Sequence, residues 1–271
     1  MRISISNIAW NVEDDLKIVK ILNSYGIDAI DIAPGKYFSN FNQISNYEII
    51  KVADWWRDQG IEIVGMQSLL FGTSGLNIFG SKEIQEKMYD HLYAVMKIAS
   101  LMGIKRLVFG SPKNRDRSGL DDKQVLKIAT DFFRRLGDFA HSVNVQICLE
   151  PNPTCYGANF MTTTNETAFV VQNINHENIK LQIDTGAIEI NIEDINSLLK
   201  KYHSFVGHIH VSEPNLLPVG DLKTNHSVFS SAIRQHLPNQ IVTIEMLVGK
   251  NESALTAVER AIKFVVQNYR N

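Results

Sequence analysis

Short β-type runs alternate with longer amphipathic stretches from one end of the chain to the other. Eight segments read as strands: 2–8, 27–33, 61–68, 104–110, 144–150, 179–184, 205–212 and 240–246. The clearest helical period lies over 81–102, where Ile84, Met88, Leu92, Val95, Ala99 and Met102 recur every three to four residues. The last, over 252–269, sets Leu255, Val258, Ile262, Val265 and Tyr269 on one face. Gly26, Gly60 and Gly103 each stand immediately before a strand run, where a left-handed helix C-cap is easiest for glycine. Eight strand–helix units in one uninterrupted series predict a parallel sheet with helices outside, and eight is the number that closes a barrel. A doubly wound open sheet is the competing arrangement, and strand parity separates the two. An open sheet covered by helices is apolar on both faces, whereas here Val145, Ile147 and Leu149 interleave with Gln146, Cys148 and Glu150. Leu181 and Ile183 alternate with Gln182 and Asp184, Ile209 and Val211 with His208 and His210, and Val242, Ile244 and Met246 with Thr243 and Glu245. The expected fold is therefore α/β, a single-domain (β/α)8 barrel over 1–271, with an interior that turns polar toward one end.

Charge narrows the partners. The 27 Lys plus Arg against 29 Asp plus Glu leave a net charge of −2, which supplies no basic footprint for nucleic acid. No stretch approaches the roughly 18 consecutive apolar residues of a membrane span, and Met1-Arg2-Ile3-Ser4-Ile5-Ser6 opens no apolar leader. Neither nucleic acid nor membrane is an expected partner. Cys148 and Cys155 are too few for a disulfide framework and not spaced as a C-x-x-C pair, so a reducing cytoplasm is the expected location. A homodimer or homotetramer is compatible with the sequence.

In a (β/α)8 barrel the site lies at the C-terminal ends of the strands. There the inward parity puts Glu150 on strand five, Asp184 on strand six, His210 on strand seven and Glu245 on strand eight, 34, 26 and 35 residues apart. Taken singly, Glu150-Pro151 reads as a loop carboxylate, Asp184-Thr185-Gly186 as a turn, His210 as a core histidine and Glu245 as an ion-pair partner. Taken together they share register, parity and chain order. Three carboxylates and an imidazole at one rim repel unless protons or a cation neutralise them, and mixed O/N ligation suits one divalent ion: Mn²⁺ first, with Mg²⁺, Co²⁺ or Zn²⁺ as alternatives. Such an ion, chelating a carbonyl and the adjacent hydroxyl, acidifies the C–H between them and stabilises the developing enediolate. With Glu150 and Glu245 on opposite sides of the substrate, one removes the proton and the other returns it, which is epimerase or aldose–ketose isomerase chemistry.

The runs Leu149-Glu150-Pro151-Asn152-Pro153, Gln182-Ile183-Asp184-Thr185, His208-Ile209-His210-Val211-Ser212-Glu213 and Thr243-Ile244-Glu245-Met246 resemble the sugar phosphate isomerase/epimerase family of xylose isomerase-like TIM barrels. That family includes D-tagatose/D-psicose 3-epimerases, L-ribulose-5-phosphate 3-epimerase, hydroxypyruvate isomerase and inosose dehydratase. The resemblance spans nearly the whole chain. It implies that Glu150, Asp184, His210 and Glu245 bind one divalent metal, often Mn²⁺, and that Glu150 and Glu245 double as the acid/base pair acting on a sugar or sugar phosphate. An inosose-dehydratase-like lyase and a non-catalytic sugar- or metal-binding barrel are the alternatives. Two departures bear on substrate. The ketose 3-epimerases usually read D-T-x-H on strand six, where this chain has Asp184-Thr185-Gly186-Ala187, and tend to carry an arginine soon after the strand-seven histidine, where this chain has Ser212-Glu213-Pro214. The three-zinc endonuclease IV pattern is set aside, because the corresponding strand ends carry Gln67, Gly110 and Ala187.

On the substrate side, the segment 111–119 offers Lys113 and Arg115 as docking points for an anion. Gln67 and Asp31, at the ends of strands three and two, are placed to hydrogen-bond sugar hydroxyls or neighbouring loops. Tyr156, Asn159 and Phe160 are candidates for a pocket wall, as is Trp10, and His226 is a further polar candidate.

Overall fold

The computed structural model describes residues 1–270. Eight strands, β1 (Arg2–Ser6), β2 (Ala29–Ile32), β3 (Glu62–Met66), β4 (Arg106–Phe109), β5 (Gln146–Leu149), β6 (Ile179–Asp184), β7 (Val206–Val211) and β8 (Ile241–Ile244), pair in chain order. The ring closes where β1 pairs in parallel with β8, Ile3 opposite Val242 and Ile5 opposite Ile244. Around it, among the described residues, run helices α1 (Asp15–Ser24), α2 (Asn46–Asp58), α3 (Lys82–Leu101), α4 (Asp122–Ser142), α5 (Thr164–Ile174), α6 (Thr185–Ile190), α7 (Ile195–Tyr202), α8 (His226–His236) and α9 (Ala254–Tyr269).

Local chemistry explains where the helices begin and end. Ser45 with Glu48 and Asp121 with Gln124 form reciprocal capping boxes that satisfy the first free N–H groups of α2 and α4. Gly26, Gly60 and Gly103 have φ of +60°, +78° and +78°, the left-handed geometry that ends α1, α2 and α3 just before β2, β3 and β4. The apolar face of each strand meets the helices: Ile147, Leu149, Ile183, Ile209 and Val211 are fully buried. Against them lie Met88, Leu92, Val95 and Ala99 of α3 and Val258, Ile262, Val265 and Tyr269 of α9, while Leu255 is only half-buried. Each large aliphatic side chain buried in this layer contributes roughly 1.5–3 kcal/mol.

Several strands stop short of the runs read from sequence, and the reason matters for the site. β1 ends at Ser6, whose Oγ accepts from the N–H of Ile8 and starts a 3-10 turn over Asn7–Ala9. β5 and β8 end at Leu149 and Ile244, one residue before their glutamates. Yet the N–H of Glu150 still donates to the Phe109 carbonyl (3.1 Å) and that of Glu245 to the Val211 carbonyl (3.0 Å), so both stay in register with the neighbouring strand. α6 follows β6 without a loop, because the Asp184 carboxylate caps it by accepting from the N–H of Ala187 at 2.6 Å. Both cysteines are free. No described helix is long and apolar enough to cross a membrane.

Candidate metal centre

Alternation along the strands sorts the barrel interior into tiers. On β6 the inward residues are Lys180, Gln182 and Asp184, continuing on β7 as His208 and His210 and on β5 as Cys148 and Glu150. At the C-terminal mouth this brings one potential ligand atom from each of Glu150, Asp184, His210 and Glu245 within 4.8 Å of one another. His210 Nδ1 lies 3.2 Å from Glu150 Oε1 and 3.2 Å from Glu245 Oε2.

The four groups are buried. Burial, together with the charges of Glu245 and Glu150, raises the Asp184 carboxyl to about 7 in the metal-free protein, His210 opposing the shift. Burial works against a charged His210, but Glu245, Asp31 and Glu150 outweigh it and hold the imidazole well above its usual range. Burial likewise raises the Glu245 carboxyl, and the His210 and Gln67 contacts more than offset it. A protonated imidazole is thus the cluster's own counter-charge to three carboxyl groups.

Those residues suit a divalent cation. Among the described residues, Nδ1 of His210 makes no aligned hydrogen bond although two carboxylate oxygens lie close to it, and Glu150 Oε1 is also a buried acceptor with no hydrogen-bond donor. Mixed O/N donors pointing at one another without satisfying one another is the arrangement a cation resolves. Supporting contacts fix the donors: Ser212 Oγ donates to Asp184 Oδ2 (2.7 Å), and Gln67 Nε2 donates to Glu245 Oε1 (2.6 Å). Gly110 is required beside Glu150, because a Cβ there would sit 1.9 Å from Glu150 Oε2.

Asp31 belongs to the tier beneath and not to a sugar-facing rim. Its carboxylate accepts from His208 Nε2 at 2.6 Å and from Ser4 Oγ and Thr243 Oγ1 at 3.4 and 3.3 Å, all fully buried. Burial alone would raise this carboxyl, and the two histidines hold it below the usual range. His210 Nε2 is 3.8 Å from Asp31 Oδ2, so Asp31 lies behind the ring whose opposite nitrogen faces the glutamates. A Cβ at Gly65 would fall 2.3 Å from Asp31 Oδ2, which is why β3 has glycine there.

Over the cluster opens a cavity of about 830 Å³. Its lining includes Gln67, Lys113 and Tyr156 together with the segment 68–76, where Phe71 is 82% exposed. Other candidates stand elsewhere, each for a visible reason. Arg115 is wholly buried, donating from Nη1 to the Glu150 carbonyl and from Nη2 to Asn152 Oδ1, both at 2.7 Å, so it braces the glutamate's backbone from behind the wall. Burial lowers its guanidinium to about 10 despite Glu150 and Glu166. Asn159 faces the outer loop, bonded to Asp116 and the N–H of Arg117. His226 is sealed between Tyr269 (2.8 Å) and Glu213 (3.1 Å). Phe160 packs edge-on against Phe79, and buried Trp10 donates to Asp15. Of the residues the sequence reading missed, Ser212 and Gly110 share the inward parity of His210 and Val108, and the same alternation rule carried two residues further finds both.

The fold and this cluster define a class: an eight-stranded α/β barrel with a carboxylate–imidazole site at its C-terminal mouth. The sequence model of the xylose isomerase-like TIM barrel family matches residues 19–265, and the chain belongs to that family. No curated protein matches it significantly by sequence. Among solved structures it is similar to D-psicose 3-epimerase from Clostridium cellulolyticum H10, crystallised with D-tagatose (19% identity, 99% of each chain, TM-score 0.82). It is also similar to 3-keto-D-glucoside 4-epimerase from E. coli (15% identity, 98% of this chain and 99% of that one, TM-score 0.82). A third is the IOLI protein with a bound zinc atom (18% identity, 99% and 98%, TM-score 0.75).

Proposed function

We propose that the protein is a divalent-metal-dependent isomerase or epimerase of sugars or sugar phosphates, with Glu150 and Glu245 as its acid/base pair. The observation that carries this is the placement of two glutamates from different strands against the same nitrogen of one imidazole, each with an oxygen 3.2 Å from His210 Nδ1, above the tier of Asp31 and His208 and facing the cavity. Simple cation binding requires no such facing pair. Glu150, Asp184, His210 and Glu245 would hold one cation, Mn²⁺ or a similar ion, which supplies Lewis-acid stabilisation of negative charge on a substrate oxygen.

The remaining work falls to side chains. Gln67 Nε2 fixes Glu245 through Oε1, leaving Oε2 toward the cluster, and Arg115 and Gly110 fix the position of Glu150. One carboxylate takes a proton from the carbon beside the carbonyl, and the other returns one from the opposite side. Burial of both limits water near the reacting carbon. The activities of the two epimerases to which the chain is similar support a carbohydrate substrate, and the mixed donor set supports the metal.

The test is solvent exchange. Purified protein with Mn²⁺, incubated in D₂O with a panel of ketoses and sugar phosphates, should incorporate deuterium next to the carbonyl. Glu150→Gln should lower that exchange by about 10²–10⁴-fold. Exchange retained in Glu150→Gln, or absent across the panel with wild type, would reject the assignment.

A further inference from the structure

The opposite, N-terminal end of the barrel holds a second cavity, of about 420 Å³, and its chemistry is the reverse of the mouth. Lys105 and Arg106 reach it from β4 and its lead-in, and Lys180 from the start of β6. No Asp or Glu is among its lining residues, and none of the three cations forms an ion pair among the described residues. Carboxylates at the N-terminal ends of other strands are engaged elsewhere: Asp28 and Glu62, at the starts of β2 and β3, hold Arg2 at 2.9 and 2.7 Å, and Glu177, just before β6, faces His141 at 2.8 Å. Donors remain to spare. Arg106 spends Nε on the Gly207 carbonyl (3.2 Å), leaving both terminal nitrogens, while the side-chain amides of Gln146 and Asn144 have no protein partner among the described residues.

In a protein of net charge −2, three uncompensated cations around one concavity form a local positive field opposite the mouth. Their mutual repulsion favours an anion between them, and the combination of a guanidinium fork, two ammonium groups and neutral amide donors matches a tetrahedral oxyanion with several acceptor oxygens. We infer that the floor of the barrel binds inorganic phosphate or the phosphoryl group of a small phosphomonoester, at a site separate from the metal-binding mouth. Arg106 ties this floor to β7 one residue before His208, so an occupant there bears on the same strand that carries His210.

Phosphate binding to the full-length protein, measured by equilibrium dialysis at constant ionic strength maintained with chloride, tests the site. Lys105→Met/Lys180→Met keeps most of each aliphatic stem and leaves the Arg106 bond to Gly207 in place. The double variant should weaken phosphate binding by about tenfold or more, whereas Lys113→Met, at the mouth, should leave this binding unchanged. Competition by phenyl phosphate assigns the site to monoesters, and its failure assigns it to the free ion. No saturable phosphate binding by wild type, or equal binding by a double variant shown to be folded by thermal unfolding, overturns the proposal. A loss confined to Lys113→Met would move the anion to the mouth and overturn it equally.

Discussion

The mouth and the floor of this barrel are built by the same strands with the same alternation, yet they collect opposite charge. On β6 a single inward face begins with Lys180 and ends with Asp184, and on β5 it begins with Gln146 and ends with Glu150. What differs is enclosure. At the mouth the carboxyl groups are buried against one another, which raises Asp184 to about 7 and leaves donors that only a cation or a proton reconciles. At the floor, Lys180 and Arg106 are half-buried and Lys105 is exposed, so water carries much of their solvation. Like charges in a closed site make a strong binding centre, whereas like charges in an open one make a weaker and salt-sensitive site.

The sharpest test compares two residues four apart on one face of β6. Asp184→Asn should lower metal affinity by about 100-fold or more, since it removes a ligand charge at the centre of the cluster. The metal-free variant should be no less stable than wild type, because one of three mutually repelling carboxylates is gone. Lys180→Met should leave metal content unchanged. Metal analysis of the purified proteins and thermal unfolding after chelation read both, and equal metal loss in the two variants would abolish the distinction between the ends.

Between the ends lies the Asp31–His208 pair, which extends the comparison to the tier that supports the mouth. Because Asp31 lies behind His210 and bonds His208, Asp31→Asn should lower metal affinity by about 10–100-fold. It should also destabilise the fold by about 1–3 kcal/mol, since buried His208 loses the carboxylate that accepts its hydrogen bond. Metal titration followed by chemical unfolding separates the two effects. Unchanged metal affinity with reduced stability would make Asp31 a packing residue with no influence on the site.

Strand and helix order were legible in the sequence because a barrel interior and a helix-covered exterior impose period two on every strand. That same period placed Glu150, Asp184, His210 and Glu245 at one rim and matched the closed ring that forms. Side-chain reach was not legible. Arg115 lies in a cationic loop segment whose neighbour Lys113 faces the cavity, but its length lets it turn inward to the Glu150 carbonyl. His226 sits at the start of α8, where only the distant Tyr269 and Glu213 determine that it is sealed in the core. Asp31 read as a strand-end polar residue because its partners come from β1, β7 and β8, more than 25 residues away. Alternation fixes which face a residue takes. It does not fix which of several polar groups on that face find one another.

The smallest expected effect concerns the one cation that the mouth exposes among the described residues. Lys113 lines the cavity on an exposed turn, where water and salt screen its charge, so it contributes at most about 1 kcal/mol to holding an anionic group. Lys113→Met should therefore raise KM for a phosphorylated or carboxylated substrate by up to about fivefold, leave kcat nearly constant, and scarcely alter KM for a neutral sugar. The effect should shrink as salt is added, because an exposed charge acts through screened water. Steady-state kinetics on one neutral and one anionic substrate at two ionic strengths read this directly. An equal change for both substrates would mean that Lys113 shapes the cavity wall, and the mouth would then hold its substrate without help from a fixed positive charge of its own.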